Sequence, residues 1–177
     1  MNKTNWILDP AHSEIVFKVR HMMMTNVSGT FNQFSGKMLS SKEDFTDAEF
    51  SFEADLNSVS TRNEQRDEHL KSPDFFDVAN FPKLTFTGKE LKKVSGNEYQ
   101  LIGELDLHKE KRSITLDAEF MGVAIDPWGQ VKAGFELTGS IDRFDYGLSW
   151  NLTAEDGTVV VDKTIKLSIN AQFIKQI

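Results

Sequence analysis

The sequence predicts an all-β chain, an antiparallel barrel or sandwich of about eight strands with one short helix between residues 60 and 82. Three observations carry this reading. Apolar residues recur at every second position over most of the chain, and turns bearing Gly, Asn or Pro separate those runs. One charged, proline-ended segment breaks the rhythm.

The cleanest run is Ala48-Glu49-Phe50-Ser51-Phe52-Glu53-Ala54-Asp55-Leu56, which alternates apolar and polar without a fault. That is the mark of a strand with one wet face. Ahead of it, Ile15, Phe17 and Val19 share a face, and a further strand is predicted from Gly29 to Leu39 with Gly36 as a bulge or bend. After it the period returns at Leu84 and Phe86, from Tyr99 to Leu107, from Ile114 to Phe120, from Val131 to Ile141 and from Ile165 to Phe173. Val94-Ser95-Gly96-Asn97-Glu98 and Asp126-Pro127-Trp128-Gly129 read as tight turns, and Asp9-Pro10 breaks the chain ahead of Ile15. Glycines inside strands (Gly88, Gly103, Gly122, Gly139) suit sharply bent sheet or mark strand ends.

The segment from Ser60 to Pro82 is too long for a hairpin loop. A helix is predicted over residues 63–70, with Ser60 or Thr61 as its cap, Glu64 near its positive end and Pro73 as its stop. Phe75, Phe76 and Phe81 then form an apolar cluster placed to plug or lid one end of a barrel. With no repeat, linker or low-complexity tract, residues 1–177 read as one domain.

Composition narrows the chemistry. There are no cysteines, so disulfides, thiolate catalysis and cysteine-based metal centres are excluded. Twenty basic against 27 acidic residues give a net charge of −7, which disfavours nucleic acid and anionic membrane surfaces as partners. No apolar run approaches the ~20 residues of a spanning helix, so no integral membrane segment is expected. The opening Met1-Asn2-Lys3-Thr4-Asn5-Trp6 lacks an apolar h-region, which predicts a cytoplasmic protein, or a periplasmic one if a leader has been removed. Fourteen Phe stand against 2 Tyr and 3 Trp, so the interior is greasy and poor in hydrogen-bonding groups.

The polar candidates are few. His12, His21, His69 and His108 show no converging metal-ligand spacing, and Asp106 and His108 fall on the wet face of their strand. Asp67 and His69 stand two apart on a helix and point in different directions. No nucleophile elbow or phosphate loop occurs. Arg143 and Asp145, flanking Phe144, read as a structural ion pair at a strand end. His21 falls on the inward face of Ile15, Phe17 and Val19, either as a satisfied core histidine or as a polar contact at a barrel mouth. Met22-Met23-Met24 reads as core packing beneath a loop or as the flexible rim of a cavity. An eight-stranded barrel can be filled by side chains or hold one small ligand, and periodicity does not choose between them.

Several separated blocks carry a family resemblance. Trp6-Ile7-Leu8-Asp9-Pro10-Ala11-His12-Ser13-Glu14-Ile15-Val16-Phe17-Lys18-Val19-Arg20-His21 resembles the opening of the YceI-like family. The likeness continues through Val27-Ser28-Gly29-Thr30-Phe31 and Phe34-Ser35-Gly36, then Arg66-Asp67-Glu68-His69-Leu70-Lys71-Ser72-Pro73-Asp74-Phe75-Phe76-Asp77. It closes with Phe81-Pro82-Lys83-Leu84-Thr85-Phe86 and Arg143-Phe144-Asp145-Tyr146-Gly147. The resemblance implies a lipocalin-like antiparallel barrel that holds a long polyisoprenoid chain, without established catalysis and often as a homodimer. Many relatives are periplasmic and carry a leader, which this chain does not show. The stretch Leu107-His108-Lys109-Glu110-Lys111-Arg112-Ser113 departs from the family's Gly-x-Thr-Lys-Pro turn.

The expectation is therefore a barrel that binds or carries an isoprenoid lipid, a polyprenyl chain or a quinone-type lipid, with no other cofactor. The inward positions expected to touch it are Phe17, Val19, Phe50, Phe52, Leu105, Leu107, Ala133, Phe135 and Leu137, with His21 as the polar contact. Two alternatives stand beside it. One is an enzyme acting on such a lipid through His21, Asp67 or His69; the other is a stress-related structural barrel with a filled lumen.

Overall fold

The computed structural model describes residues 2–177. Its strands are β1 (Thr4–Leu8), β2 (Glu14–His21), β3 (Thr25–Phe31), β4 (Phe34–Ser40), β5 (Glu49–Asp55) and β6 (Val59–Ser60). A single α-helix among the described residues, α1 (Glu64–Lys71), precedes β7 (Lys83–Ser95), β8 (Glu98–Leu107), β9 (Glu110–Ile125), β10 (Val131–Asp142) and β11 (Val161–Lys175).

Pairing runs β1-β4-β5-β7-β8-β9-β10-β11 and returns to β1, a closed antiparallel barrel of eight strands among the described residues. β2, β3 and β6 continue from the edge of β11 in the order β11-β2-β3-β6. They are the outer halves of three bent arms. Asp9 to Ser13 bends β1 into β2, Asn32-Gln33 bends β3 into β4, and a 3-10 turn at Leu56–Ser58 bends β5 into β6. The strand expected from Gly29 to Leu39 is thus two strands, and β1 lies ahead of the Asp9-Pro10 break.

The first bend is built by its sequence. Asp9 is extended and accepts a hydrogen bond from the Ala11 amide at 3.0 Å, while Pro10 opens the 3-10 turn. The bend lets one edge of β11 pair with β2 over residues 161–170 and with β1 over residues 173–175.

Close backbone approach explains one glycine. A Cβ on Gly103 would lie 2.4 Å from the Thr87 carbonyl oxygen and 2.5 Å from the Phe86 ring, where β7 and β8 bend past each other. Gly122, at φ 113, sits beside the irregularity that breaks the β9–β10 register at Phe135.

One end of the barrel is plugged. The loop between β4 and β5 drops Phe45 inward, with its ring centroid 5.4 Å from Trp6, 5.4 Å from Phe120 and 5.7 Å from Phe135. Asp47 fixes that loop by accepting from the Ser40 and Ser41 hydroxyls at 2.5 Å each and from the Ser41 and Lys42 amides. Burial alone would raise the Asp47 pKa, but these four donors outweigh it and hold the carboxyl far below the usual carboxylate range.

Because the folded pKa is depressed, the stability Asp47 contributes is complete above the unfolded value of about 4 and is lost progressively as pH falls from there through the folded value. Asp47→Ala is expected to cost about 1–2 kcal/mol at pH 7. Urea unfolding at pH 7 and at pH 3 checks this: the gap between variant and wild type should shrink at the lower pH.

Candidate functional site

The barrel is hollow above its plug. A cavity of about 370 Å³ occupies the lumen, within the size range of ligand pockets. Phe17 and Val19 of β2, Phe50 and Phe52 of β5, Leu105 and Leu107 of β8, and Phe135 and Leu137 of β10 all line it, as does His21. Alternation put these side chains on the inner face because the strands are regular where they lie. Ala133 is the exception. It faces inward and is 0% exposed, but it stands outside the cavity wall, paired with Val123 and Phe173 near the plugged end. Periodicity gives the face of a strand, not the depth along the barrel axis.

The wall is apolar over most of its length, and its basic side chains are Arg20, His21, Arg66, His69 and Arg143. No carboxylate lines it, in a chain where acids outnumber bases by 27 to 20. These groups mark the mouth, where β2 ends and β11 begins.

Helix α1 forms one side of that mouth. Its cap is Asn63, whose side-chain oxygen accepts from the Arg66 amide at 3.0 Å; neither Ser60 nor Thr61 caps it. Thr61 has another task. Its amide and hydroxyl donate to Asp67 at 2.8 and 2.6 Å, and Arg66 donates to its hydroxyl and carbonyl at 2.8 Å each. The helix is thereby fastened to the end of β6. Asp67 is committed to this fastening and does not line the lumen, whereas His69 does.

His69 shares a hydrogen bond of 3.0 Å with Asp74 and presents its ring to Trp150 at 4.7 Å and to Phe75 at 5.1 Å. Phe75, Phe76, Leu70 and Trp150 lid the cavity. Phe81 does not join them; it packs on His108 at 4.8 Å. Trp150 was missed in the sequence because residues 147–160 carry no alternation to reveal which side chain turns inward.

Arg143 makes no ion pair with Asp145. The residue is 2% exposed, and its guanidinium donates to the carbonyls of Asp162, Leu148, Trp150 and Val161 at 2.6 to 3.1 Å. Burial lowers its pKa, opposed by the nearby Asp142 and Asp162. The planar fork ties both ends of the 148–162 segment to the barrel and so sets Trp150 over the mouth.

His108 also departs from expectation. It is buried, at φ 58, and its Nδ1 lies 2.9 Å from the Tyr146 carbonyl. Histidine takes the left-handed turn position here and its ring finds a partner across the mouth, so this side chain is not on a wet strand face. Met22 and Met23 take φ 56 in the β2–β3 turn, and Met23 and Met24 are exposed and outside the cavity wall. Among the described residues no group of three or more His, Asp or Glu is arranged to hold a metal ion.

Comparison with known proteins places this geometry. The profile of the YceI-like domain matches residues 6–173. A UPF0312 protein of Staphylococcus epidermidis is 37% identical over 171 residues, covering 96% of this chain and 97% of that protein. Among solved structures, a YceI protein of Campylobacter jejuni superposes with a TM-score of 0.75 at 28% identity, over 89% of this chain and 90% of that one. BcnA of Burkholderia cenocepacia gives 0.80 at 16% identity, covering 93% and 98% of the two chains. A polyisoprenoid-binding domain of Saccharophagus degradans gives 0.72 at 17% identity, covering 97% and 98%. The last two likenesses are of fold.

The cavity wall separates two alanines that the alternation treats alike. Ala118 lines the lumen and Ala133 does not. Ala133→Phe should overpack the core and cost roughly 1–3 kcal/mol or more. Ala118→Phe should place its ring in the open lumen and cost less. Chemical denaturation of both variants after delipidation checks the order.

Proposed function

Because the chain belongs to the YceI-like family, we propose that its barrel binds or carries an isoprenoid lipid, a polyprenyl chain or quinone-type lipid, without transforming it. The observation that carries this reading is a lumen with a largely apolar wall and its basic side chains gathered at one end. A lipid tail is matched by the first and a polar head by the second. The fold shared with the Saccharophagus polyisoprenoid-binding domain supports the same ligand class.

Magnitudes agree. Burial is worth about 0.8 kcal/mol per CH₂-sized group, so a five-carbon unit contributes up to about 4 kcal/mol before ordering costs. No hydrogen bond to the tail is needed. At the mouth, Arg20 and Arg66 make no ion pair among the described residues. Together with the missing carboxylates, this favours an oxygen-rich head, a phosphate or a quinone ring.

Binding is preferred over catalysis because the two histidines that reach the lumen, His21 and His69, have no carboxylate beside them in its wall. Asp67 is bonded to Thr61, and Asp74, the hydrogen-bond partner of His69, is exposed and does not line the lumen. A structural barrel without a ligand is disfavoured by the open volume, since a filled lumen would leave no such space.

Organic extraction of protein purified without detergent, followed by mass spectrometry, should yield an isoprenoid lipid near one per barrel. An extract without lipid, together with no uptake of offered quinones or polyprenyl phosphates, overturns the reading. Ala118→Phe should lower the lipid recovered several-fold while the delipidated barrel stays folded.

A further inference from the structure

The rim around the cavity mouth exposes apolar side chains that nothing in the barrel uses. Met24 is 82% exposed and Met23 46%, at the tip of the β2–β3 hairpin. Leu152 is 57% exposed and Val159 40%, at the base of the neighbouring loop. Backbone hydrogen bonds set the two features side by side. The Met22 amide donates to the Val160 carbonyl, and the Val160 amide donates to the Leu152 carbonyl, at 2.9 Å each. Arg20, His21 and Val160, which neighbour these side chains in sequence, line the cavity itself. The apolar rim is therefore continuous with the opening of the lumen.

We propose that this rim docks on the surface of a phospholipid bilayer, so that a lipid passes between bilayer and lumen without crossing water. The proposal rests on the lipid-carrier reading for its purpose, but the docking is a separate property of the rim. Two features fit a bilayer. Unbranched methionines adapt to the irregular, fluid packing of acyl chains and glycerol backbones. Charge is the second. Residues 14–31, which make the hairpin, carry Lys18, Arg20 and His21 toward the tip and one acid, Glu14, at the opposite end of β2, in a chain of net charge −7. Cations flanking apolar tips sit at the level of lipid phosphates. Glu155 and Asp156 at the tip of the neighbouring loop, and the net negative charge, oppose a strongly anionic surface. The favoured surface is zwitterionic, entered by apolar insertion of the hairpin tip.

A second exposed apolar group, Ile125 at the end of β9 and Trp128 in the turn that follows, lies at the plugged end of the barrel. Residues there neighbour the end of β11, where Lys132 pairs with Ile174, whereas His21 pairs with Val161 at its start. It serves as the control, because it matches the rim in hydrophobicity and has no access to the lumen.

The test uses the full chain after delipidation, sedimented with phosphatidylcholine vesicles. Wild type should partition onto vesicles, and Met24→Asp with Leu152→Asp should lower that partition at least tenfold. Ile125→Asp with Trp128→Asp should leave it unchanged. Since the chain has no cysteine, Met24→Cys carrying an environment-sensitive dye gives a readout that does not depend on the double variant folding. Its emission should shift to the blue on adding vesicles, while the same dye at Trp128→Cys should not shift. The proposal is overturned if wild type stays in the supernatant, if the rim variant binds like wild type, if the control variant is the one that fails, or if the dye at position 24 reports only water. Vesicle binding through Met24 alongside a lipid-free extract would retain the docking and remove the carrier reading. Lipid in the extract without vesicle binding would do the reverse.

Discussion

Barrel closure depends on one edge of the last strand being shared between two others. β11 pairs with β10 from Thr164 to Ile174, and on its other edge with β2 and then β1. A straight first arm could not satisfy both the long β11 edge and the β1–β4 pairing, so the arm must bend at Asp9 to Ser13. The bend is fastened to its neighbour. The Asp9 amide donates to the Gln172 carbonyl at 2.8 Å, and the Gln172 amide donates to the Ser13 hydroxyl at 3.0 Å. Asp9 also holds His12 at 2.8 Å and lies 3.7 Å from Lys132 on β10. Without this junction β11 would leave an unpaired edge, and the lumen would not be enclosed.

From that closure the rest follows as a division of the interior. Toward the plugged end, Trp6, Phe45, Phe120, Phe135 and Phe173 fill the space with edge-on and tilted rings at about 5 to 6 Å. Toward the mouth the strands diverge into the branch β2-β3-β6, and side chains no longer reach across. An open apolar volume forfeits dispersion contacts on one side of every lining atom, so it weakens the barrel that contains it. A ligand tail restores those contacts, which couples occupancy to stability.

The mouth is held by polar groups because the chain there is irregular. Residues 147–160 form no long strand, and their carbonyls need donors once buried. Arg143 supplies several from one rigid group, and the burial of its charge is offset by the carbonyl dipoles it meets. Thr61, Arg66 and Asp67 do the same for α1. The mouth thus joins three segments distant in sequence: residues 61–76, 143–161 and the end of β2.

The sequence by itself determined the all-β class, the single helix and the inward face of the long strands. Each is a local matter: alternation is a property of extended backbone, and Gly96 and Gly129 carry the positive φ of their turns. The blocks Trp6–His21, Arg66–Asp77 and Arg143–Gly147, in family order, also identify the family whose profile matches residues 6–173. Tertiary structure alone decided which inward residues meet open space, since Ala118 and Ala133 are alike in pattern and differ in depth. It decided that Phe45, the one aromatic residue of a charged loop, is the plug, and that Arg143 bonds carbonyls and not Asp145. It also turned His108 inward. These outcomes depend on where closure brings remote segments, and a two-residue period carries no information about that.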